Sequence, residues 1–149
     1  MPKSVVKIDA RTHKIVDVIA VGRVPHEIAV AGDYVFAASK GDRTLTRVDR
    51  RTGSVVNSGK YDATSGLAWD GGARLWVGSP GRRRVQVVDA GLPTDDLGLE
   101  PSAAFVPVPP YTVSAALRVG AGSLWIATEG APYGSTSVVE RWAFTPCAG

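Results

Sequence analysis

A repeat of about 40 residues constrains this chain more than any other feature of its sequence. Val5-Val6-Lys7-Ile8-Asp9 returns as Leu45-Thr46-Arg47-Val48-Asp49 and again as Val85-Gln86-Val87-Val88-Asp89, so the aspartates at 9, 49 and 89 are 40 apart each time. Arg11-Thr12 matches Arg51-Thr52, and Val16 matches Val56. A second block recurs as regularly. Ile28-Ala29-Val30 precedes Tyr34-Val35-Phe36-Ala37-Ala38-Ser39, Leu67-Ala68-Trp69 precedes Leu75-Trp76-Val77-Gly78-Ser79, and Leu117-Arg118-Val119 precedes Leu124-Trp125-Ile126-Ala127-Thr128. A last partial copy, Ser137-Val138-Val139-Glu140-Arg141-Trp142, comes 51 residues after the Asp89 copy, so the third unit carries an insertion of about eleven residues.

Each unit holds four runs of β-branched and aromatic residues separated by Gly, Asp or Pro turns, which is strand chemistry. No segment keeps a 3.6-residue apolar period, so no helix is expected. The third run is apolar on both alternating faces, with Val5 and Val6 in one copy and Val85, Val87 and Val88 in another. Strands buried on both faces belong to sheets sandwiched between other sheets, and stacked four-stranded blades supply that environment. The fold expected is therefore all-β, a β-propeller fragment of a little over three four-stranded antiparallel blades. The repeat divides the chain into a half blade (4–21), a blade (26–59), a blade with the insertion (65–108), a partial blade (113–144) and a tail (145–149). Those units hold two, four, four and three strands. Closed propellers typically need about four or more blades, and an unclosed end bares blade faces and sheet edges. The expectation is a longer native protein, with completion of a ring by two copies as the alternative.

Composition only narrows this. Hydrophobic residues are 44% and charged residues 21%, the globular range. A net charge of +3 is too weak to argue for nucleic acid. Cys147 is the single cysteine, which excludes an intrachain disulfide and a thiolate metal cluster. No stretch of about 18 apolar residues exists to span a bilayer as a helix. The N-terminus lacks signal-peptide anatomy: a native start at Met1 implies the cytoplasm, and an excised segment leaves the compartment open.

At the residues quoted above the chain resembles the YVTN or YncE-like propeller family, related in kind to the NHL and streptogramin-lyase propellers. Its typical unit reads Val-x-x-Ile-Asp-x-x-Thr-Gly-x-Val, then Gly-x-x-Pro-x-x-Ala-Val, then an aromatic-apolar pair closing on Ala-x-Ser or Ala-Asn. The resemblance covers nearly all of residues 4–144. It implies the architecture and is nearly silent on function, because such repeats serve as binding, sensor and lyase scaffolds. In the resembled bacterial proteins these modules are often appended to regulators, kinases or transport proteins.

The repeat also provides a control: a residue present in every unit serves the blade, and one that breaks the pattern is free to serve a site. Asp9, Asp49 and Asp89 are therefore read as turn residues whose carboxylates accept backbone N–H groups. Phe36, Trp76 and Trp125 share one repeat position and are read as packing between blades. His13 stands where the second unit has Gly53, so it is expected to adopt a left-handed backbone. His26, after Pro25 and before Glu27, enters the innermost strand near the mouth of the central channel, where a His beside an acid could carry a proton or bind a metal. The resemblance sharpens this, since streptogramin lyases place Pro-His before this strand and use a His with glutamates around magnesium. The pattern departs here: Lys40 ends the next strand, and the acid Glu129 occupies that position in another unit, whose His26 counterpart is Ala115. One His and scattered acids fall short of a catalytic constellation.

Arg82-Arg83-Arg84 lies between the second and third strands of its blade and could hold a phosphate or an acidic peptide, although a solvated loop face explains it as well. The stretches at 90–110 and 130–135 break the repeat, and insertions on such scaffolds map to loops and often to the binding face. Tyr111 and Tyr133 are the contact candidates there. Asp95 and Asp96 point to opposite sides of an extended chain and make poor acid/base partners. There is no Gly-x-x-x-x-Gly-Lys, Gly-x-Ser-x-Gly or Cys/His ligand spacing. The reading is a non-catalytic binding, sensor or protein-interaction propeller. It uses His26, Glu27, Lys40, Arg82, Arg83, Tyr111, Glu129 and Tyr133 around the channel mouth to hold a peptide, protein or small ligand, with no cofactor and no metal. A magnesium-dependent lyase-like enzyme and a truncated, inactive propeller are the alternatives.

Overall fold

The structure, a computed structural model, describes residues 3–61, 66–79, 84–89, 105–107, 112–130 and 138–143. The thirteen strands among them form four antiparallel sheets, and no described residue is helical. β1 (Ser4–Ile8) and β2 (Ile15–Ala20) make a two-stranded hairpin. A full sheet follows in chain order, β3 (Pro25–Ala31), β4 (Tyr34–Ser39), β5 (Thr44–Asp49) and β6 (Val55–Lys60). The next is β7 (Leu67–Trp69), β8 (Arg74–Ser79), β9 (Arg84–Asp89) and β10 (Phe105–Pro107), and β11 (Thr112–Gly120), β12 (Ser123–Gly130) and β13 (Val138–Ala143) form the last. Every neighbour in a sheet is a neighbour in sequence, the up-and-down meander of a propeller blade. The first strands β3, β7 and β11 lie side by side, so the sheets stack face to face about their inner edges.

The repeat is reproduced down to single hydrogen bonds. Asp9 Oδ1 accepts the N–H groups of Arg11 and Thr12 at 3.0 and 2.6 Å, and Asp49 Oδ1 accepts those of Arg51 and Thr52 at 2.9 and 2.7 Å. These bonds close the turn that lets each hairpin reverse. Both carboxyls are held below the ordinary aspartate value, chiefly by the N–H of Thr12 or Thr52. His13 and Gly53 then take left-handed backbones, at φ 57° and 76°, as the turn requires. The bulge is repeated too. Ile8 pairs with Ile15 and Val48 with Val55 after a register shift, leaving Val16 and Val56, which are 40 residues apart, as the extra residues.

Two apolar layers hold the sheets together. Phe36, Ala38 and Leu45 from the β3–β6 sheet meet Leu67, Leu75, Val77 and Val88 from the β7–β10 sheet. Ala68, Trp76 and Val85 meet Leu117, Leu124 and Ile126 in the second layer. Arg47 is fully buried beside the first, its guanidinium 4.8 Å from the centroid of the Tyr34 ring, an electrostatic attraction strengthened by desolvation. The expectation that the third strand is buried on both faces holds for Val85 and Val88 but fails at the first copy: Val6 is 46% exposed and Ile8 is also exposed. The reason is physical. β1 has only β2 beside it, so nothing covers its outer face or its second edge among the described residues. The aromatic position behaves the same way at the other end. Phe36 and Trp76 are buried between sheets, whereas Trp125 is 38% exposed on the last one.

Candidate functional site

The entry to the innermost strand is a built corner. Lys40 N–H donates to Val24 O at 3.0 Å and Gly41 N–H to Arg23 O at 2.9 Å, so residues 21–24 and 40–44 run together. Asp42 ties them further, accepting Arg23 N–H at 2.9 Å and the Thr44 hydroxyl at 2.9 Å. The Arg23 bond is the main reason its carboxyl sits below the ordinary aspartate value. Gly22 packs so tightly there that a Cβ would overlap Thr44 Oγ1. Val24 is left-handed at φ 54°, turning the chain into Pro25 and β3.

At that point β3 carries a bulge: Pro25 pairs with Ser39 and Glu27 with Ala38, so His26 is the extra residue. A bulge re-aims a side chain, and here His26 is exposed. Among the described residues its side chain has no hydrogen-bond or ion-pair partner. Ser4, Val5, Val6, Pro25, His26, Glu27 and Ile28 line a depression of about 260 Å³ beside it. Glu27, with a side chain 29% exposed, pairs elsewhere: its Oε1 lies 4.0 Å from Nη1 of Arg118 on β11, spanning from the first full sheet to the last sheet. Arg118 Nη1 also donates to Leu117 O at 2.7 Å, which fixes the guanidinium near the strand. So open an ion pair contributes about 0–1 kcal/mol.

Of the residues singled out from the sequence, then, His26, Glu27 and Lys40 gather at the start of β3 and the end of β4, with Lys40 exposed. Glu129 lies on β12, its backbone paired with Ser114 on β11; its side chain is outside the described set, as are Arg82, Arg83, Tyr111, Tyr133, Asp95 and Asp96. Among the described residues, no three His, Cys, Asp or Glu side chains stand close enough to hold a metal ion. Arg118 escaped the sequence reading although the repeat flags it. Its position is Ala29 in one unit and Ala68 in the next, and an arginine there breaks the pattern. The other feature that escaped is apolar. A groove of about 250 Å³ runs along β1 and is lined by Val5, Val6, Ile8, Ile28, Val30 and Val35 among others.

No protein-family model matches the sequence, and no curated protein matches it. Solved structures do. BamB from Moraxella catarrhalis aligns with a TM-score of 0.65 at 16% identity, over 95% of this chain and 38% of that one. A streptogramin B lyase structure aligns at 0.63 and 11% identity, over 96% and 48%, and the β-propeller domain of Cps50 (Swd1) from Myceliophteria thermophila at 0.62 and 12%, over 96% and 48%. At these identities the likeness concerns the fold alone. The chain spans less than half the length of each of these structures, and its fold is that of a β-propeller built from four-stranded antiparallel blades.

Proposed function

We propose that this chain is a non-catalytic binding or protein-interaction module, a propeller segment of the YVTN kind that holds a peptide, protein or small ligand at the ends of its inner strands. The observation that carries the reading is the placement of the polar groups there. His26 and Glu27 on β3, Lys40 just past the end of β4 and Arg118 on β11 come from two sheets; His26, Lys40 and Arg118 are exposed and Glu27 is partly so, and among them only Glu27 and Arg118 form an ion pair, at 4.0 Å. Exposed polar groups at the rim of a depression suit recognition through direct hydrogen bonds. Proton transfer needs a base held by a partner at hydrogen-bond range from its target, and no described residue holds the His26 ring.

A peptide array carrying acidic, basic and neutral sequences, probed with the purified chain, tests this reading. Binding that falls at least about tenfold in Arg118→Ala and His26→Ala variants of unchanged thermal stability is the expected result. Magnesium-dependent turnover of streptogramin B, abolished in His26→Ala, would instead establish the lyase reading. An array with no retained sequence would favour a truncated, inactive propeller.

A further inference from the structure

The internal repeat identifies what is missing from the groove beside β1. Ile28, Leu67 and Leu117 occupy one repeat position on three successive first strands, and they are 53%, 2% and 0% exposed. What differs is the preceding sheet. Leu67 lies under the inner strands β3 and β4 of the sheet before it, in the layer with Ala31, Phe36 and Ala38, and Leu117 likewise shares a layer with Ala68 and Trp76 of β7 and β8. Ile28 is preceded only by β1 and β2, which by the repeat are a third and a fourth strand. The space that a first and a second strand would fill is the groove lined by Val5, Val6, Ile8, Ile28, Val30 and Val35. One wall is the unpaired edge of β1, whose backbone groups face it ready to continue the ladder. The floor is apolar at residues whose repeat equivalents, Leu67 and Leu75, are buried.

We infer that this groove is a docking site for one kind of occupant, a β-hairpin of the repeat's own inner-pair type from outside these 149 residues. The hairpin pairs its second strand antiparallel to β1, as β4 pairs with β5 from Tyr34↔Asp49 to Ser39↔Thr44. It lays small apolar and aromatic side chains equivalent to Ala29, Ala31, Phe36 and Ala38 over Ile28, Val30 and Val35. Its chemistry is read from the two places where the molecule already makes this contact. The match to less than half of each larger propeller fits a fold that is completed by further strands.

A fusion tests the inference directly. A copy of residues 25–43 is placed immediately before Ser4, replacing Met1–Lys3, because Ser4 is the repeat equivalent of Thr44 and the copied connection 40–43 then leads into β1 as it leads into β5. Hydrogen exchange is followed at the amides of Val5 to Ile8, together with the melting temperature and the sedimentation of extended and unextended chains. The expected result is at least about tenfold slower exchange along β1 and a melting temperature higher by about 5 °C. The same extension carrying Ala29→Asp and Ala38→Asp in the copied hairpin should lose both effects while the body of the protein stays folded. Unchanged exchange along β1 with the intact extension overturns the inference. So does a dimer of the unextended chain that already protects β1 and persists when the extension is present, since the occupant would then be a second copy. Peptide binding at His26 and Arg118 is a separate readout, so failure of the proposed function and failure of this inference are distinguishable.

Discussion

Asp9 and Asp49 show how much of the local structure one carboxylate decides. Each accepts two backbone N–H groups, Asp9 also accepts the Thr12 hydroxyl, and the next hairpin strand starts just beyond the left-handed residue that follows. Both roles were legible in the sequence, because a residue that returns every 40 positions at the end of a strand is there for the turn. Asp42 was not legible, since its main partner, the Arg23 N–H, belongs to a separate loop 19 residues away and meets it only when the two loops are brought together. Arg118 was marked in the sequence by breaking the repeat, but its pairing with Glu27 was not, because Glu27 lies in another sheet.

Two predictions belong to this scale. The carboxyls of Asp9, Asp42 and Asp49 titrate below the ordinary aspartate value in the folded chain. The folded state therefore holds fewer protons than the unfolded one in the acid range. Their stabilisation is complete above the unfolded value of about 3.9 and is lost as pH falls through the lower folded values. An Asp9→Asn, Asp49→Asn variant should show a shallower fall of melting temperature between neutral pH and the acid range than the parent; parallel curves would contradict the assignment. At Gly53 a Cβ would overlap the Asp17 carboxylate and the backbone is left-handed at φ 76°. Gly53→Ala should thus cost about 1–2 kcal/mol in urea unfolding, while His13→Gly at the equivalent position should cost nothing or stabilise.

At the level of strands and sheets, the pattern of apolar residues specified the pairing but not the exposure. The hairpins β1–β2 and β5–β6 share their turn, their register shift and their extra residue, yet β5 is buried and β1 is half bare. An apolar alternation encodes the face a strand offers to a neighbour. It carries no information on whether the neighbour is there, which is why burial of Val5 and Val6 was expected and Val6 is found exposed. This difference is measurable by substitution. Leu67→Ala empties a fully packed position and should cost about 2–5 kcal/mol. Ile28→Ala, at the same place in the repeat but half solvated, should cost less than about 1 kcal/mol, because little apolar surface returns to water. Equal losses in chemical denaturation would mean that Ile28 is covered in solution.

Among the described residues, the stack of sheets carries exposed apolar side chains at both ends, Val6 and Val18 on the first hairpin and Trp125 on the last sheet. Apolar faces and open edges of this kind favour association. A Val6→Lys, Val18→Lys variant should sediment at lower mass at high concentration and bind less apolar dye, with its melting temperature within a few degrees of the parent. The architecture itself was legible from three copies of one supersecondary unit. The site was legible only in part, because His26 and Glu27 sit in sequence where the inner strand begins, whereas the groove along β1 exists only once sheets are stacked. All of this depends on neighbouring copies of the unit packing face to face. An NOE experiment on aromatic-ring and methyl protons measures that contact most directly. Face-to-face packing gives cross-peaks from the Phe36 ring to methyls among Leu67, Leu75 and Val77, and from the Trp76 ring to methyls among Leu117, Leu124 and Ile126. Rings that show cross-peaks only within their own sheets would contradict it.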